Sequence, residues 1–498
     1  MNLIFLFFFF ILCSKDLFSI GYYQIGILPR YIALGGTGIA LGGSAIDLSL
    51  NPANIKVNKL GQQLELGIGN SYFSANYSDK SYQLSKSDPF FENNNNYRVM
   101  VNLPFVGYTK NINDKLSYAV AFYVTGGGGA TFDNLIRYTP QNVTATEYSG
   151  QSLSPLSSKN LIKESNISSI AISRFSNGLS YQINNLSIGI SLDIVMAKQS
   201  IEYKYSDSTG YIPFYTKGFR YESNLAKSLG GSVGLSYNLG NSTKIGYAYQ
   251  LPTSLNLDGT FDGGNGSIIS RIPLDVKNKF TTAERHSFGI SHYINQRMLI
   301  TSDIQYLLLG SYFKSSEIVL PYFNYDSGLG LLKNWKSRNG SQNIYSIGIG
   351  VEYSVNKIFL RLGFNYSMQS YPERYLNPQN SPILLENVYT AGIGFLFNDS
   401  NLDIAIAHSP YKKYYGGKGS DWDVSRALNS LSDYNYAYSY SSSIKYTSLI
   451  ISFSKRFWRY LKVYVSFTIN LERKGLSRFD FSLRIMETSW YIGKKILS

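Results

Sequence analysis

Few side chains in this sequence could move protons near neutral pH. Its 498 residues include three histidines, His286, His292 and His408, and one cysteine, Cys13. Hydrolytic chemistry needs a histidine paired with a nucleophile and held by an orienting third group. His286 and His292 alternate in step with Phe288 and Ile290, which puts them on the oily face of a strand, where interfacial residues belong. His408 has the parity of Leu402, Ile404 and Ile406 and stands beside Ser409-Pro410. No base can be joined to a nucleophile and an orienter. No catalytic residue is assigned, and the chain is not read as an enzyme.

Cys13 closes LIFLFFFFILC, residues 3–13, an apolar run far short of the roughly 20 residues a spanning helix needs. With the small residues Ser19 and Gly21 behind it, the run reads as a secretory signal peptide over residues 1–21. A cut after Ser19 would also serve, and Leu12 is bulkier than a lipoprotein site before Cys13 would take. The mature chain then has no cysteine, which excludes disulfides and cysteine-ligated metal. No metal and no cofactor is expected.

The elements that must position any site come from composition and period. Tyrosine stands at 43, phenylalanine at 29 and glycine at 44, while charged residues make up only 16%, against about 25% in soluble domains. Tyr345, Ile347, Ile349, Val351, Tyr353 and Val355 alternate with Ser346, Gly348, Gly350, Glu352 and Ser354. The same period of two runs through residues 116–122, 186–194 and 402–407. Each such strand has an oily face and a small or polar face. An exported, aromatic-rich chain of long alternating strands is an all-β transmembrane antiparallel barrel, closed because an open edge finds no water in lipid. Short polar links at 111–115, 184–185, 238–243, 356–357 and 398–400 suit periplasmic turns. Long stretches at 133–164, 259–280, 313–340, 369–386 and 408–443 suit extracellular loops. Asn93 to Asn96 reads as low-complexity loop. The net charge of +14 is spread through loops and the last forty or so residues without a nucleic-acid motif. Cationic loops facing anionic outer-membrane lipid and lipopolysaccharide account for it, with no nucleic-acid partner.

One stretch fits no barrel strand: YIALGGTGIALGGSAIDLSLNPANI, residues 31–55, apolar, glycine-broken and ending on Asn51-Pro52-Ala53. Further on stand KIGYAYQLPTSLNLDG (244–259), NWKSRNGSQNIYSIGIGVEYSVNKIFLRLGFNYS (334–367) and LDIAIAHSP (402–410). In this order, over roughly residues 22–457, the chain resembles the FadL/TodX family of outer-membrane transporters for long-chain fatty acids and other hydrophobic compounds. The resemblance implies a barrel of about 14 strands with an N-terminal hatch, here residues 22–60, inside a wall formed by residues 61–458. It implies passive uptake of a hydrophobic small molecule, fatty acid or hydrocarbon, by a protein expected to be a monomer. It also implies a hole in the wall at the third strand, through which ligand leaves sideways.

On this reading Ile32, Leu34, Ile39, Leu41, Ile46 and Leu48 offer the hatch's oily surface to ligand. Asn51, Pro52 and Ala53 anchor its exit, the asparagine amide bonding backbone groups otherwise unpaired in the lumen; an ordinary turn into a first strand at Leu64 is the plainer alternative. Gly126, Gly127, Gly128 and Gly129 end LSYAVAFYVTGGGG and would form the lateral gate, by breaking pleat and pairing, unless they are a loop tip. The family's paired acids before Asn-Pro-Ala are missing, leaving a single Asp47. The family's barrel ends on an aromatic residue, matched by Phe457 or Trp458, yet about forty residues follow. KVYVSFTINLE and RFDFSLRIME alternate, so residues 459–498 are either two more strands, making 16, or a periplasmic tail. A non-transporting barrel serving secretion or assembly is the alternative function, on fold analogy alone.

Overall fold

A computed structural model describes residues 24–57, 61–81, 91–138, 161–207, 219–262, 274–312, 315–319, 334–338, 341–370, 385–416, 438–457, 461–470 and 478–487. The signal-peptide reading lies outside them. Where oily and small residues alternate, the chain forms long strands: β1 (Gln62–Ser81), β2 (Phe91–Asn111), β3 (Leu116–Tyr138), β4 (Leu161–Ile183) and β5 (Leu186–Asp207). Five staves follow in pieces: β6 (Phe219–Ser223) with β7 (Ala226–Leu239); β8 (Thr243–Gln250) with β9 (Ser254–Asn256) and β10 (Gly259–Asp262); β11 (Leu274–Thr281) with β12 (Arg285–Tyr293); β13 (Met298–Leu307) with β14 (Ser315–Val319); β15 (Asn334–Arg338) with β16 (Ile344–Val355). Four single strands close the series, β17 (Ile358–Ser367), β18 (Asn387–Phe397), β19 (Ser400–Gly416) and β20 (Tyr438–Phe457). These make a closed antiparallel barrel of 14 staves. Closure runs along the whole of β1 against β20, from Gln62↔Phe457 to Ser81↔Tyr438.

The remaining two strands, β21 (Leu461–Asn470) and β22 (Arg478–Glu487), pair only with each other, in a sheet separate from the barrel. They do not raise the stave count to 16. Asn93 to Asn96 lie in β2 opposite Asn76 to Asp79 rather than in a loop. The long loops are likewise shorter than the sequence suggests, because β10, β11, β14 and β15 and the ends of β3, β4, β19 and β20 occupy their flanks.

The outer face is apolar: Leu192, Leu229, Leu362, Ile290, Ile349 and Ile406 are all exposed there. Tyr181, Tyr237, Tyr293 and Tyr353 ring this band near the short turns, and Tyr247, Tyr345 and Tyr389 ring it above. From Tyr353 to Tyr345 is eight residues, about 20 Å of height for a strand tilted about 40°. That approaches the roughly 25 Å of an aromatic-bounded membrane belt. The inner face is small because residues 24–57 pack against it. A Cβ on Gly189, Gly234, Gly246 or Gly363 would run into Pro52, Asn51, Ile39 or Gly35 respectively.

Candidate functional site

Residues 24–57 are short turns strung together by glycine. Helix α1 (Pro29–Ala33) starts on proline and is ended by Gly35 and Gly36, at φ 73° and 81°, angles that glycine adopts without a steric penalty. Two 3₁₀ turns follow, at Ala45–Ser49 and Pro52–Asn54. The first is closed by a capping box in which the Ser44 hydroxyl accepts from Ile46 N and the Asp47 carboxylate accepts from Ser44 N. Asp47 also accepts from the Tyr31 hydroxyl, tying α1 to the 3₁₀ turn. This single acid therefore latches the segment to itself. Burial pushes its carboxyl up to about 7.

The wall holds the segment by backbone recognition. Asn51 Nδ2 donates to Ile39 O at 2.8 Å and to Leu235 O of β7 at 3.0 Å, while its Oδ1 accepts from Ala53 N at 3.0 Å. Ser180 of β4 donates to Ala53 O at 2.8 Å. Pro52, at the start of its 3₁₀ turn, fixes the angle of exit. Asn51 thus makes both the local turn and the wall contact. Contacts that sequence reading missed are as strong. Asp303 of β13 accepts from Gly38 N at 2.7 Å and Ile39 N at 2.9 Å. Thr390 of β18 accepts from Gly35 N and donates to Ala33 O, both at 3.1 Å. Asn365 donates to Gly35 O at 2.9 Å, Lys244 to Leu41 O at 2.7 Å, and Arg285 to Ser49 O at 2.6 Å. Their only mark in the sequence is a polar residue on the small face of an alternating strand.

Ile32, Leu34, Ile39, Leu41, Ile46 and Leu48 are all buried. They share one apolar core with wall residues of β1 to β3 and of β18 to β20. Away from the short turns this core continues as aromatic rings inside the barrel. Phe73 and Tyr446 lie 5.0 Å apart, and Phe132 sits 5.0 Å from Tyr77 and 6.0 Å from Tyr97. On the short-turn side the segment meets charge. Glu352 bridges Arg30 at 2.8 Å and Arg361 at 2.6 Å, and Arg361 reaches Asp403 at 2.5 Å. A polar cavity of about 120 Å³ adjoins this network between Arg30, Glu65, Asp403 and Arg456. One side of the segment suits an apolar ligand and the other does not.

Gly126 to Gly129 are not a loop tip. They lie inside β3 and keep their pairing with β4, Gly126↔Ile172 through Gly129↔Ser169. The register slips just before them, between Val124 and Gly126, at a bulge on Thr125. Gln24 fills that bulge, its Nε2 donating to Val124 O at 3.0 Å and its N to Thr125 O at 3.2 Å. What stops here is the ladder on the other side. The β2–β3 pairing runs from Asn111↔Ser117 to Phe105↔Tyr123 and goes no further among the described residues, although both strands continue. Pro104 is the next residue on β2 and has no N–H to offer. Beyond it Asn95 Nδ2 reaches Asp133 O at 2.5 Å. Met100, exposed beside this seam, lies within the apolar belt.

The histidines stand where their parity puts them. His286 faces outward between Tyr247 and Tyr249, its Nδ1 2.9 Å from the Tyr247 hydroxyl and its Nε2 3.2 Å from Glu284. His292 and His408 pair with the hydroxyls of Thr243 and Thr447 at 2.8 and 3.0 Å. His292 and His408 thus hold threonine hydroxyls with no orienting carboxylate among these contacts, and the Tyr247–His286–Glu284 contacts lie on the barrel's outer face.

Curated proteins give no sequence match. Solved structures do match in fold. The Pseudomonas putida toluene transporter TodX is 18% identical, with TM-score 0.57, over 89% of this chain and 100% of its own. A Pseudomonas aeruginosa FadL homologue is 14% identical, with TM-score 0.59, over 89% and 99%. The Ralstonia pickettii toluene transporter TbuX is 17% identical, with TM-score 0.52, over 87% and 98%. The sequence pattern of one family covers residues 30–415. Closed wall, apolar belt and this pattern agree: the chain belongs to the outer membrane protein transport family (OMPP1/FadL/TodX).

Proposed function

We propose that this protein admits hydrophobic small molecules, fatty acids or aromatic hydrocarbons, by passive diffusion, and releases them sideways into the bilayer. The observation that supports this reading is the seam between β2 and β3, whose ladder ends in mid-belt at Phe105↔Tyr123, beside Pro104 and the Thr125 bulge. A hydrophobe gains nothing from water beneath the plug, where Arg30, Glu352, Arg361 and Asp403 line the way. It gains from the rings of Phe73, Phe132 and Tyr446 above, and from lipid beyond the wall. Residues 24–57 act as a hatch, with Asn51, Pro52 and Ala53 as its anchor and Gly126 to Gly129 as the flexible lip of the exit. Gln24 couples the two, since any shift of the hatch pulls on the bulge.

Uptake of labelled oleate and labelled toluene into proteoliposomes tests the reading. The expected result is entry well above that of empty vesicles, without matching entry of a polar solute of similar size. Entry no faster than in empty vesicles would overturn it and leave the barrel to a secretion or assembly role.

A further inference from the structure

The hairpin of β21 and β22 is outside the barrel sheet and outside the residues the family pattern covers. Its register sorts most of its sequence by face, apart from Glu487 opposite Leu461 at one end and Tyr464 and Met486 among the polar positions. Val463, Val465 and Phe467 stand opposite Ile485, Leu483 and Phe481, and cross-strand partners share a face. The alternate positions pair Ser466 with Ser482 and Thr468 with Asp480, and carry Lys462, Arg478 and Arg484. One face is therefore wholly apolar through its middle, and the other is polar with three cations to one acid. A two-stranded hairpin with such a face is not stable alone in water. Something covers it.

We infer that the apolar face rests in the periplasmic leaflet of the outer membrane, making the hairpin an interfacial lipid anchor. Phe457 ends β20 opposite Gln62, at the short-turn rim, and Arg456 N bonds Asp399 O in the neighbouring turn. Three residues separate Phe457 from Leu461, so the hairpin begins within about 14 Å of that rim. The lipid belt on β20, with Leu449, Ile451 and Phe453 exposed, ends at the same rim. The nearest apolar phase is thus continuous with a surface the barrel already presents to lipid. Lys462, Arg478 and Arg484 complete the match, because basic residues on the polar side of an interfacial element attract anionic headgroups.

Nitroxide labels on the full chain in lipid nanodiscs, in a Cys13→Ala background, test this. Labels at Val465→Cys and Leu483→Cys are expected to be accessible to oxygen and shielded from a water-soluble nickel chelate. Labels at Ser466→Cys and Ser482→Cys should show the reverse. Adding Phe467→Asp and Phe481→Asp should expose the Val465→Cys label to nickel while heat-modifiable migration of the barrel stays unchanged. Nickel access to the apolar-face labels in the unaltered hairpin would overturn the proposal. So would shielding from both reagents, which means cover by protein, or spin–spin broadening between labels, which means a second copy.

Discussion

Asp303 accepts from two successive amides, at 2.7 and 2.9 Å, and so fixes the Gly38–Ile39 turn of the N-terminal segment from a strand 264 or more residues away. Replacing it with alanine leaves both N–H groups unpaired, at about 1–3 kcal/mol each. Asp303→Ala is therefore expected to loosen the segment, raising single-channel current and polar leak, while the barrel still migrates as a folded species in unheated detergent. Asn51→Ala should act the same way but more weakly, because Asn54 also donates to Ile39 O, at 2.8 Å. The double variant Asn51→Ala/Asn54→Ala should leak more than either single variant, and equal leak would refute the shared anchor. Asp47 adds a pH dependence. Its carboxyl, raised by burial from 3.8 to about 7, binds a proton more readily in the docked segment than when free. That contribution to docking is complete below pH 3.8 and is lost as pH rises through about 7. Leak measured at pH 8.5 should exceed leak at pH 6, and Asp47→Asn should flatten the difference.

Strands carry the next level. If Pro104 and the Thr125 bulge keep β2 and β3 apart, Pro104→Val restores an N–H and lets the ladder extend past Phe105↔Tyr123. Uptake of hydrophobic substrate is expected to fall severalfold with folding and expression unchanged, and full uptake would put the exit elsewhere. Gly127→Val is the harsher change, since any Cβ there collides with Ile170 O. Within the membrane belt the strands were legible in the sequence because lipid demands an oily residue at every second position, as in 345–355. Beyond the belt that demand ends, and the sequences of β14 (SSEIV) and β15 (NWKSR) hold no alternation to read. The glycine run lies next to the bulge of β3, but a bulge depends on how two neighbours slip, and one strand's sequence does not hold that.

At the scale of the molecule, closure of β1 on β20 makes the barrel complete at Phe457. A chain ending there is expected to fold, resist protease outside its long loops and shift on heating in a gel. A mainly helical circular-dichroism spectrum or failure of that truncation to fold would contradict the 14-stave wall. That residues 31–55 form no stave was legible from their odd composition and from Asn51-Pro52-Ala53. Their partners were not. Asp303, Thr390 and Asn365 are three polar residues among many on the inner face, and which amide each meets is settled only once the wall has curved round the segment.

That dependence has a consequence in time. Residues 24–57 precede the whole wall in the chain, yet Gly35 bonds Thr390 across 355 positions and Asn365 across 330. Contacts so distant in sequence carry a large loop-closure cost, and the segment's partners are spread over staves from β4 to β18. The part made first therefore waits for partners made near the end of the chain, as does β1, whose closing neighbour β20 lies farther off still.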